Sequence, residues 1–296
     1  MKYDIVWDES FNIGVEIIDK AHQRLAGIVR KMIDLAQDSK GEKKRWACEE
    51  GIKYFKSYTI KHFAEEESYM RSIDYEEYEK HKQLHSEMRD QTIPELERKL
   101  EESDYSEQAV EEFLGVCMGW LTGHIMIEDR KLTESDNSHK NIQPDVEELE
   151  HLILAISQTI QNLFQLNAKV ISRHYEGEDF GKAIYYRLSY QNLHGEKLRV
   201  LFAVEKSFVS ATVGKMVFLT FHKLNKTAIS AMKQIFQQMM RNLHTYFTHT
   251  ESSFSLYDDE ILSTKEFYQE FETESSLYSL LFQTDLGYFA FCIQRP

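Results

Sequence analysis

The chain has 296 residues, of which 42% are hydrophobic and 28% charged, and its formal net charge is −14 at pH 7. This length suits two domains of ordinary size, and the acidic balance argues against a nucleic-acid partner, because a phosphate backbone requires a basic face. The three cysteines, Cys48, Cys117 and Cys292, include no CxxC pair, which disfavours a disulfide framework and a thiolate zinc site.

The sequence predicts no membrane-spanning segment. No stretch approaches about 18 consecutive apolar residues, the length that a transmembrane helix needs. The opening residues 1–5 lack the apolar core of a signal peptide. We therefore expect a cytoplasmic protein without a membrane partner.

The first 132 residues contain four long segments in which apolar residues recur at intervals of three and four, as in amphipathic helices. These segments run from Ile13 to about Ala36, over about 43–71, from near Tyr75, and over about 106–132. Pro94 is expected to kink or interrupt the third helix, because its ring clashes with the preceding turn and it donates no hydrogen bond. Four long helices joined by short turns predict an all-α antiparallel four-helix bundle over residues 1–132.

Residues 133–145 are polar and lack periodicity, which predicts a linker. The pattern then changes to a mixture of helices and strands. The helical segments are about 146–166, 207–218 and 225–247, and the strand-like runs are about 170–175, 183–191, 197–204, 275–283 and 288–294. Hairpin signals at 192–195 and 284–287 join consecutive strands. We therefore predict an α+β domain with an antiparallel sheet over residues 146–296.

Five of the twelve histidines lie within the predicted bundle, and their spacing indicates metal binding. His62 precedes Glu66 by four residues, and His81 precedes His85 by four. Residues four apart lie on one face of a helix, so each pair can chelate a metal ion. A single histidine on an apolar face, such as His22 or His124, is usually a satisfied core residue. Five of them over four helices instead predict a metal centre inside the bundle.

The donor set favours two ions of iron or manganese, because it combines imidazole with carboxylate and offers no thiolate. Two close cations repel each other, so we expect carboxylates to bridge them and one coordination position to stay vacant. Glu66 is the obvious bridge, and its neighbours Glu65 and Glu67 either face solvent or orient a histidine. The second bridge is open at this point. Helical spacing from His124 favours Glu128, at four residues, over Asp129, at five.

Several further residues form one sequence pattern together with these ligands. They are Trp7, Ile13-Gly14-Val15 with Ile18-Asp19 and His22, Tyr58-xxx-His62-Phe63-xx-Glu66 with Met70, His81-xxx-His85, and Trp120-xxx-His124-Ile125-xxx-Asp129. This pattern resembles bacterial hemerythrins over about residues 4–132. It departs once: Tyr75 is followed by Glu76 where the family often has proline, which affects a turn and not a ligand. The resemblance implies a four-helix bundle that binds O2 reversibly at a non-haem di-iron centre.

The resemblance also implies a role for each ligand and chooses Asp129 as the second bridge. His81, His85 and His124 would hold the saturated iron, and His22 and His62 the iron with the vacant position. Glu66 and Asp129 would bridge the two irons. The expected walls of the O2 pocket are Trp120, Leu121, Phe63, Ile18 and Leu25, and ordinary core packing explains each of these equally well.

The order of elements over residues 146–296 resembles the CheX-type chemotaxis phosphatase domains. Those phosphatases use a Glu-x-x-Asn pair on their long helix. At the corresponding place this chain has Gln234 and Gln237, which supply no carboxylate, so the resemblance implies that phosphatase activity is lost or much reduced. Solvent-facing polar residues of a helix are an equally simple reading of these two glutamines.

The primary functional hypothesis is an oxygen or redox sensor that is not itself an enzyme. In it, dioxygen binds to two iron ions, and the CheX-like domain passes the state to a chemotaxis or two-component response regulator, with a homodimer formed through that domain. A transmitted signal requires O2 to bind two conformations with different affinity. The alternatives are oxygen storage, delivery or scavenging without an output, and an enzyme, either a response-regulator phosphatase or a di-iron peroxidase.

Overall fold

The computed structural model describes residues 7–38, 42–133, 147–216, 224–243, 254–273 and 276–296. The chain forms two compact units. The first comprises Met1–Asn137 together with Val213–Gln238, and the second comprises Ser138–Thr212 together with Met239–Pro296. Among the described residues, no helix combines the length and the apolar character needed to cross a bilayer.

The first unit contains the predicted four-helix bundle. Its helices are α1 (Glu16–Asp38), α2 (Glu42–Ser72), α3 (Tyr78–Glu87), α4 (Ile93–Glu102) and α5 (Glu107–Ile127). The helices α3 and α4 together form the third segment, and the expected interruption at Pro94 is a single π turn, Met88–Thr92. Pro94 lies in the first turn of α4, directly after this π turn. The predicted all-α class of this half is confirmed.

Helix α5 differs from an ordinary amphipathic helix because every residue from Phe113 to Ile127 is buried. A helix that is buried on all sides needs cover on both faces. One face points into the bundle, and the other is covered by α8 (Lys226–Leu243), whose residues up to Gln238 belong to the first unit. Segment 213–238 lies within the domain predicted over 146–296. The domain limits at 132 and 146 stay a prediction, since 134–146 are outside the described residues.

Helices α5 and α8 pack with their backbones in direct contact at two glycines, Gly115 and Gly119, and the side chain of Gln238 packs against a third, Gly123. A Cβ atom at position 115 would lie 2.5 Å from the carbonyl oxygen of Thr227, and one at position 119 would lie 2.5 Å from that of Ala231. Only glycine therefore permits this approach. The N-terminal end of α8 is also tied to α5 by an ion pair between Lys226 Nζ and Glu112 Oε2 at 2.7 Å.

We expect Gly119→Ala to destabilise the first unit by about 2 kcal/mol, since the methyl group meets backbone atoms and the helices must separate. This value already includes the gain of about 1 kcal/mol in helix propensity that alanine brings over glycine. The matched control is Gly27→Ala on α1, where an added Cβ has no neighbour within 4 Å. The control should be neutral or slightly stabilising. Denaturant unfolding of both variants measures the difference, and equal stabilities would contradict the tight α5–α8 contact.

The second unit is an α+β structure built on one antiparallel sheet, as predicted. Its helices include α6 (Glu147–Phe164), α7 (Lys206–Met216), of which residues to Thr212 belong here, and α9 (Thr264–Thr273). The strands are β1 (Lys169–Ser172), β2 (Ala183–Gln191), β3 (Lys197–Glu205), β4 (Ser255–Leu262), β5 (Ser276–Thr284) and β6 (Gly287–Gln294). The six strands lie in the order β1-β5-β6-β3-β2-β4. Both predicted hairpins, β2–β3 and β5–β6, are confirmed.

The sequence did not reveal strand β4 or helix α9. Among the described strands, β4 is at an edge of the sheet and pairs only with β2, and most of its side chains are exposed. Its sequence includes the acidic run Asp258-Asp259-Glu260, so it lacks the apolar alternation that marks a half-buried strand. The ends of two predicted helices, at 217–218 and 244–247, lie outside the described residues.

Candidate metal centre

The structure brings all seven predicted ligands together inside the bundle. They come from four helices and one turn and are each at most 2% exposed: His22 on α1, His62 and Glu66 on α2, His81 and His85 on α3, His124 on α5, and Asp129 in the turn after α5. The spacing of four residues on α2 and α3 directs each pair to one face, as predicted. Bundle packing then aims these faces at a common interior.

The ligand atoms form two groups, within each of which all atoms lie within 4.8 Å of one another. One group is Glu66, His81, His85 and His124, and the other is His22, His62, Glu66 and Asp129. Glu66 belongs to both groups. The arrangement therefore offers two adjacent positions for a cation, one with three imidazoles and one with two.

Each carboxylate presents one oxygen to each position. Glu66 Oε1 lies 2.9 Å from His81 Nε2 on the three-histidine side, and Glu66 Oε2 lies 3.1 Å from His62 Nε2 on the two-histidine side. Asp129 repeats this division, with Oδ1 3.0 Å from His124 Nε2 and Oδ2 3.1 Å from His22 Nε2. Both carboxylates thus lie between the two histidine sets, with one oxygen toward each.

The structure places Asp129, and not Glu128, in the centre. Helix α5 ends at Ile127, and residues Asp129–Leu132 form a 3-10 turn, so the helical spacing from His124 no longer applies at this point. Glu128 Oε2 instead pairs with Lys131 Nζ at 2.9 Å. The choice implied by the family pattern thus agrees with the structure, whereas the choice from helical periodicity does not.

The residues fit a pair of metal ions because their polar atoms converge without satisfying one another. Both ring nitrogens of His22 and His62, and both oxygens of Glu66 and Asp129, make no hydrogen bond of acceptable geometry with the described residues. On the three-histidine side, His124 Nε2 lies 3.0 Å from the Nε2 atoms of both His81 and His85. Buried polar atoms normally have hydrogen-bond partners, and a cation between these lone pairs would satisfy them.

The electrostatics of these side chains keep both carboxylates ionised. Burial and the charge of Asp129 oppose ionisation of Glu66, but the imidazoles of His62 and His81 outweigh them and hold its pKa well below the usual range. Burial likewise opposes ionisation of Asp129, and His124 is foremost among the imidazoles that keep its pKa low. Burial also opposes protonation of His81, yet the two carboxylates raise its pKa to about 10.

Two other histidines remain neutral, as metal ligands must be. Burial lowers the pKa of His85 to about 4, although Glu67 acts in the opposite direction. Burial also lowers the pKa of His22, against the effect of Asp129. A neutral imidazole keeps a lone pair for a cation. The centre therefore combines anionic oxygens with imidazole nitrogens, of which His81 must release its proton when a cation binds, and this donor set suits iron or manganese.

Groups around the ligands orient two of the histidines. Glu67 Oε1 lies 3.2 Å from His85 Nδ1, so Glu67 orients a histidine, one of its two expected roles, while Glu65 pairs with Lys61. The Phe63 ring stacks on His85 with centroids 4.0 Å apart, and the Trp120 ring stacks on His124 at 4.3 Å.

Known proteins match the part of the chain that carries this centre. The family described as "Hemerythrin HHE cation binding domain" matches residues 13–135. A bacteriohemerythrin of Clostridium acetobutylicum is 31% identical over 128 residues, which is 43% of this chain and 96% of that protein. A bacteriohemerythrin of Pseudomonas paraeruginosa is 30% identical over 125 residues, 42% of this chain and 76% of that protein. The chain belongs to the hemerythrin family.

A solved structure of the chemotaxis protein CheX from Desulfovibrio desulfuricans is similar to the C-terminal half of the chain. The match covers 51% of this chain and 100% of that chain, with 8% identity and a TM-score of 0.38. At these values the likeness supports no conclusion about activity.

Membership in the hemerythrin family leaves the O2-pocket walls as a prediction. All five expected wall residues are buried. The rings of Phe63 and Trp120 contact each other, with their centroids 5.4 Å apart. Phe63 also stacks on His85, and Trp120 stacks on His124, two histidines of the three-histidine position. Ile18 and Leu25 flank His22 on α1, four residues before it and three after, and Leu121 is buried on α5. Sequence reasoning missed Gln238, a residue of α8 whose amide donates a hydrogen bond to the Trp120 carbonyl.

Proposed function

We propose that this chain binds two iron ions in the bundle and binds dioxygen reversibly there. His81, His85 and His124 would hold one iron, His22 and His62 the other, and Glu66 and Asp129 would bridge them. The observation that carries the proposal is the division of both carboxylates, each with one oxygen toward each histidine set. Family membership supports iron as the metal and dioxygen as the ligand.

The unequal numbers of histidines favour a ligand site at one of the two positions. Three imidazoles and two carboxylate oxygens supply five donors to one position, whereas two imidazoles and two oxygens supply only four to the other. The two-histidine position therefore has more room for an external ligand. Bound ferrous ions would supply the electrons and the vacant coordination position for dioxygen.

The protein's own contribution is to position the ligands and exclude water. Glu67 fixes the ring of His85 through its Nδ1 atom, and such outer partners set both the orientation and the basicity of a ligating histidine. The seven ligands are at most 2% exposed, and aromatic rings cover His85 and His124. This burial keeps bulk water and protons away, as reversible binding of dioxygen requires.

Iron analysis and oxygen titration of the full-length protein test the proposal. We expect about two irons per chain after anaerobic loading, and a visible absorption change that appears with oxygen and disappears when oxygen is removed. His62→Ala should remove the response to oxygen, because it takes one of only two imidazoles from that position. A single zinc ion per chain without a chromophore would contradict the proposal, and an unchanged His62→Ala variant would remove His62 from the ligands.

We further propose that oxygen binding changes the conformation of the chain outside the bundle. Such a change distinguishes a sensor from a storage protein. Support comes from residues 213–238, which are distant in sequence from the ligands and yet belong to the same compact unit. Hydrogen exchange of the oxygen-free and oxygen-bound protein tests this role. Changes in strands β2 and β3 are expected for a sensor, whereas changes confined to residues before 133 would indicate storage or delivery alone.

A further inference from the structure

Gln238 of α8 reaches the backbone of α5 one turn before a metal ligand. Its side chain is 5% exposed, and Nε2 donates a hydrogen bond to the carbonyl oxygen of Trp120 at 3.0 Å. The amide lies beside Gly123, where a Cβ atom would be 2.9 Å from Gln238 Oε1 and 3.0 Å from Cδ. The absence of a side chain at position 123 therefore makes room for this amide.

The hydrogen bond acts on the helical turn that carries His124. In an α-helix the carbonyl of residue 120 also accepts the N–H of residue 124, and a carbonyl oxygen has lone pairs for both donors. The same turn holds the Trp120 ring against the His124 ring, with an angle of 14° between their planes. Gln238 is thus connected to His124 through the peptide group of Trp120 and through the stacked rings.

Packing alone does not require glutamine at position 238. Its Oε1 atom is buried and has no hydrogen-bond partner among the described residues, an arrangement that an apolar side chain of similar volume would avoid. An apolar residue could not replace the N–H donor of the amide. Among the described hydrogen bonds, Gln238 Nε2 donates only to the Trp120 carbonyl, in the helical turn between Trp120 and His124.

Resting on the di-iron function proposed above, we infer that Gln238 is a positioning residue of the metal centre: its amide holds the Trp120–His124 turn against α8 and so sets how His124 meets its metal ion. Gln238 lies outside the matched hemerythrin region, residues 13–135. The centre is therefore tuned by a helix from the later part of the chain. By thermodynamic linkage, if the position of α8 changes the free energy of ligand binding, then ligand binding changes the free energy of that position of α8 by the same amount.

The experiment compares two matched variants of the full-length, iron-loaded protein. Gln238→Met keeps the volume and removes the donor. Gln234→Met makes the same chemical change one turn earlier, where the amide pairs with Gln237 rather than with α5. The readouts are iron per chain, thermal midpoint, the absorption spectrum per iron, and the rate at which the oxygenated protein oxidises to the ferric form.

We expect both variants to keep about two irons per chain, with only Gln238→Met shifting the spectrum and changing the oxidation rate. The change should be at least about threefold, below the 10–100-fold typical of a residue that contacts a ligand directly. Loss of iron from Gln238→Met alone would be a stronger form of the same result. Identical spectra and rates for the two variants would overturn the inference. An oxygen-insensitive wild-type protein would instead refute the proposed function itself.

A double-mutant cycle keeps the inference testable if Gln238→Met does not fold. Gly123→Ala adds a methyl group that must displace the Gln238 amide, so it should shift the spectrum in the same direction. In a Gln238→Ala background the displaced group is absent, and the added methyl should have little further effect. Equal effects of Gly123→Ala in both backgrounds would show that Gln238 does not act on His124, and would overturn the inference.

Discussion

Asp129→Asn is expected to remove at least one of the two irons, whereas Glu128→Gln should leave iron content unchanged. The asparagine keeps the size of the side chain but loses the charge that offsets two neighbouring cations. Its amide nitrogen also cannot serve as a bridging donor, so one histidine set loses its share of the side chain. The affinity for the second iron should fall by a factor of at least about 100, beyond the range for an outer partner.

The contrast with Glu128 follows from its surroundings. The Glu128 carboxylate faces Lys131 at 2.9 Å, and Asp129 Oδ1 and Oδ2 face His124 and His22. Losing an ion pair of this kind, with a partly exposed lysine, costs at most about 1 kcal/mol. Metal analysis after anaerobic loading measures both variants. The reverse order of effects would show that Glu128 and not Asp129 completes the centre.

Removal of the iron is expected to lower the thermal midpoint of the first unit by about 10 °C. A ligand that binds only the folded state stabilises it by about 4 kcal/mol at 1,000 times its dissociation constant, and a unit of this size shifts by roughly 2–4 °C per kcal/mol. Without metal, two ionised carboxylates and five imidazoles remain buried in contact, many of their atoms without hydrogen bonds. Such groups destabilise the folded state unless a cation compensates them.

Calorimetry of iron-loaded and chelator-treated protein measures this shift. The control is the Asp129→Asn variant, in which added iron should produce a much smaller increase of the midpoint. Equal midpoints for loaded and metal-free wild-type protein would mean that the bundle is stable around an empty centre, and would contradict the role of metal in folding.

Much of the fold follows from local sequence patterns. The intervals of three and four predicted the helices of the bundle, and the alternating runs with turn residues predicted the hairpins β2–β3 and β5–β6. Strand β4 escaped because an exposed edge strand buries little and so leaves no apolar pattern. The interruption of the third helix was foreseen from Pro94, because the missing donor is a property of the residue itself.

The sequence by itself determined the ligand pairs on α2 and α3, because a spacing of four residues within one helix fixes which side chains share a face. Only the tertiary structure decided between Glu128 and Asp129, since α5 ends at Ile127 and the chain turns there in a way that periodicity cannot express. The packing of α8 against Gly119, and with it the hydrogen bond from Gln238 to Trp120, could likewise not be predicted from the sequence. Those contacts join residues more than a hundred positions apart, and local sequence patterns do not indicate which distant helix packs against a glycine.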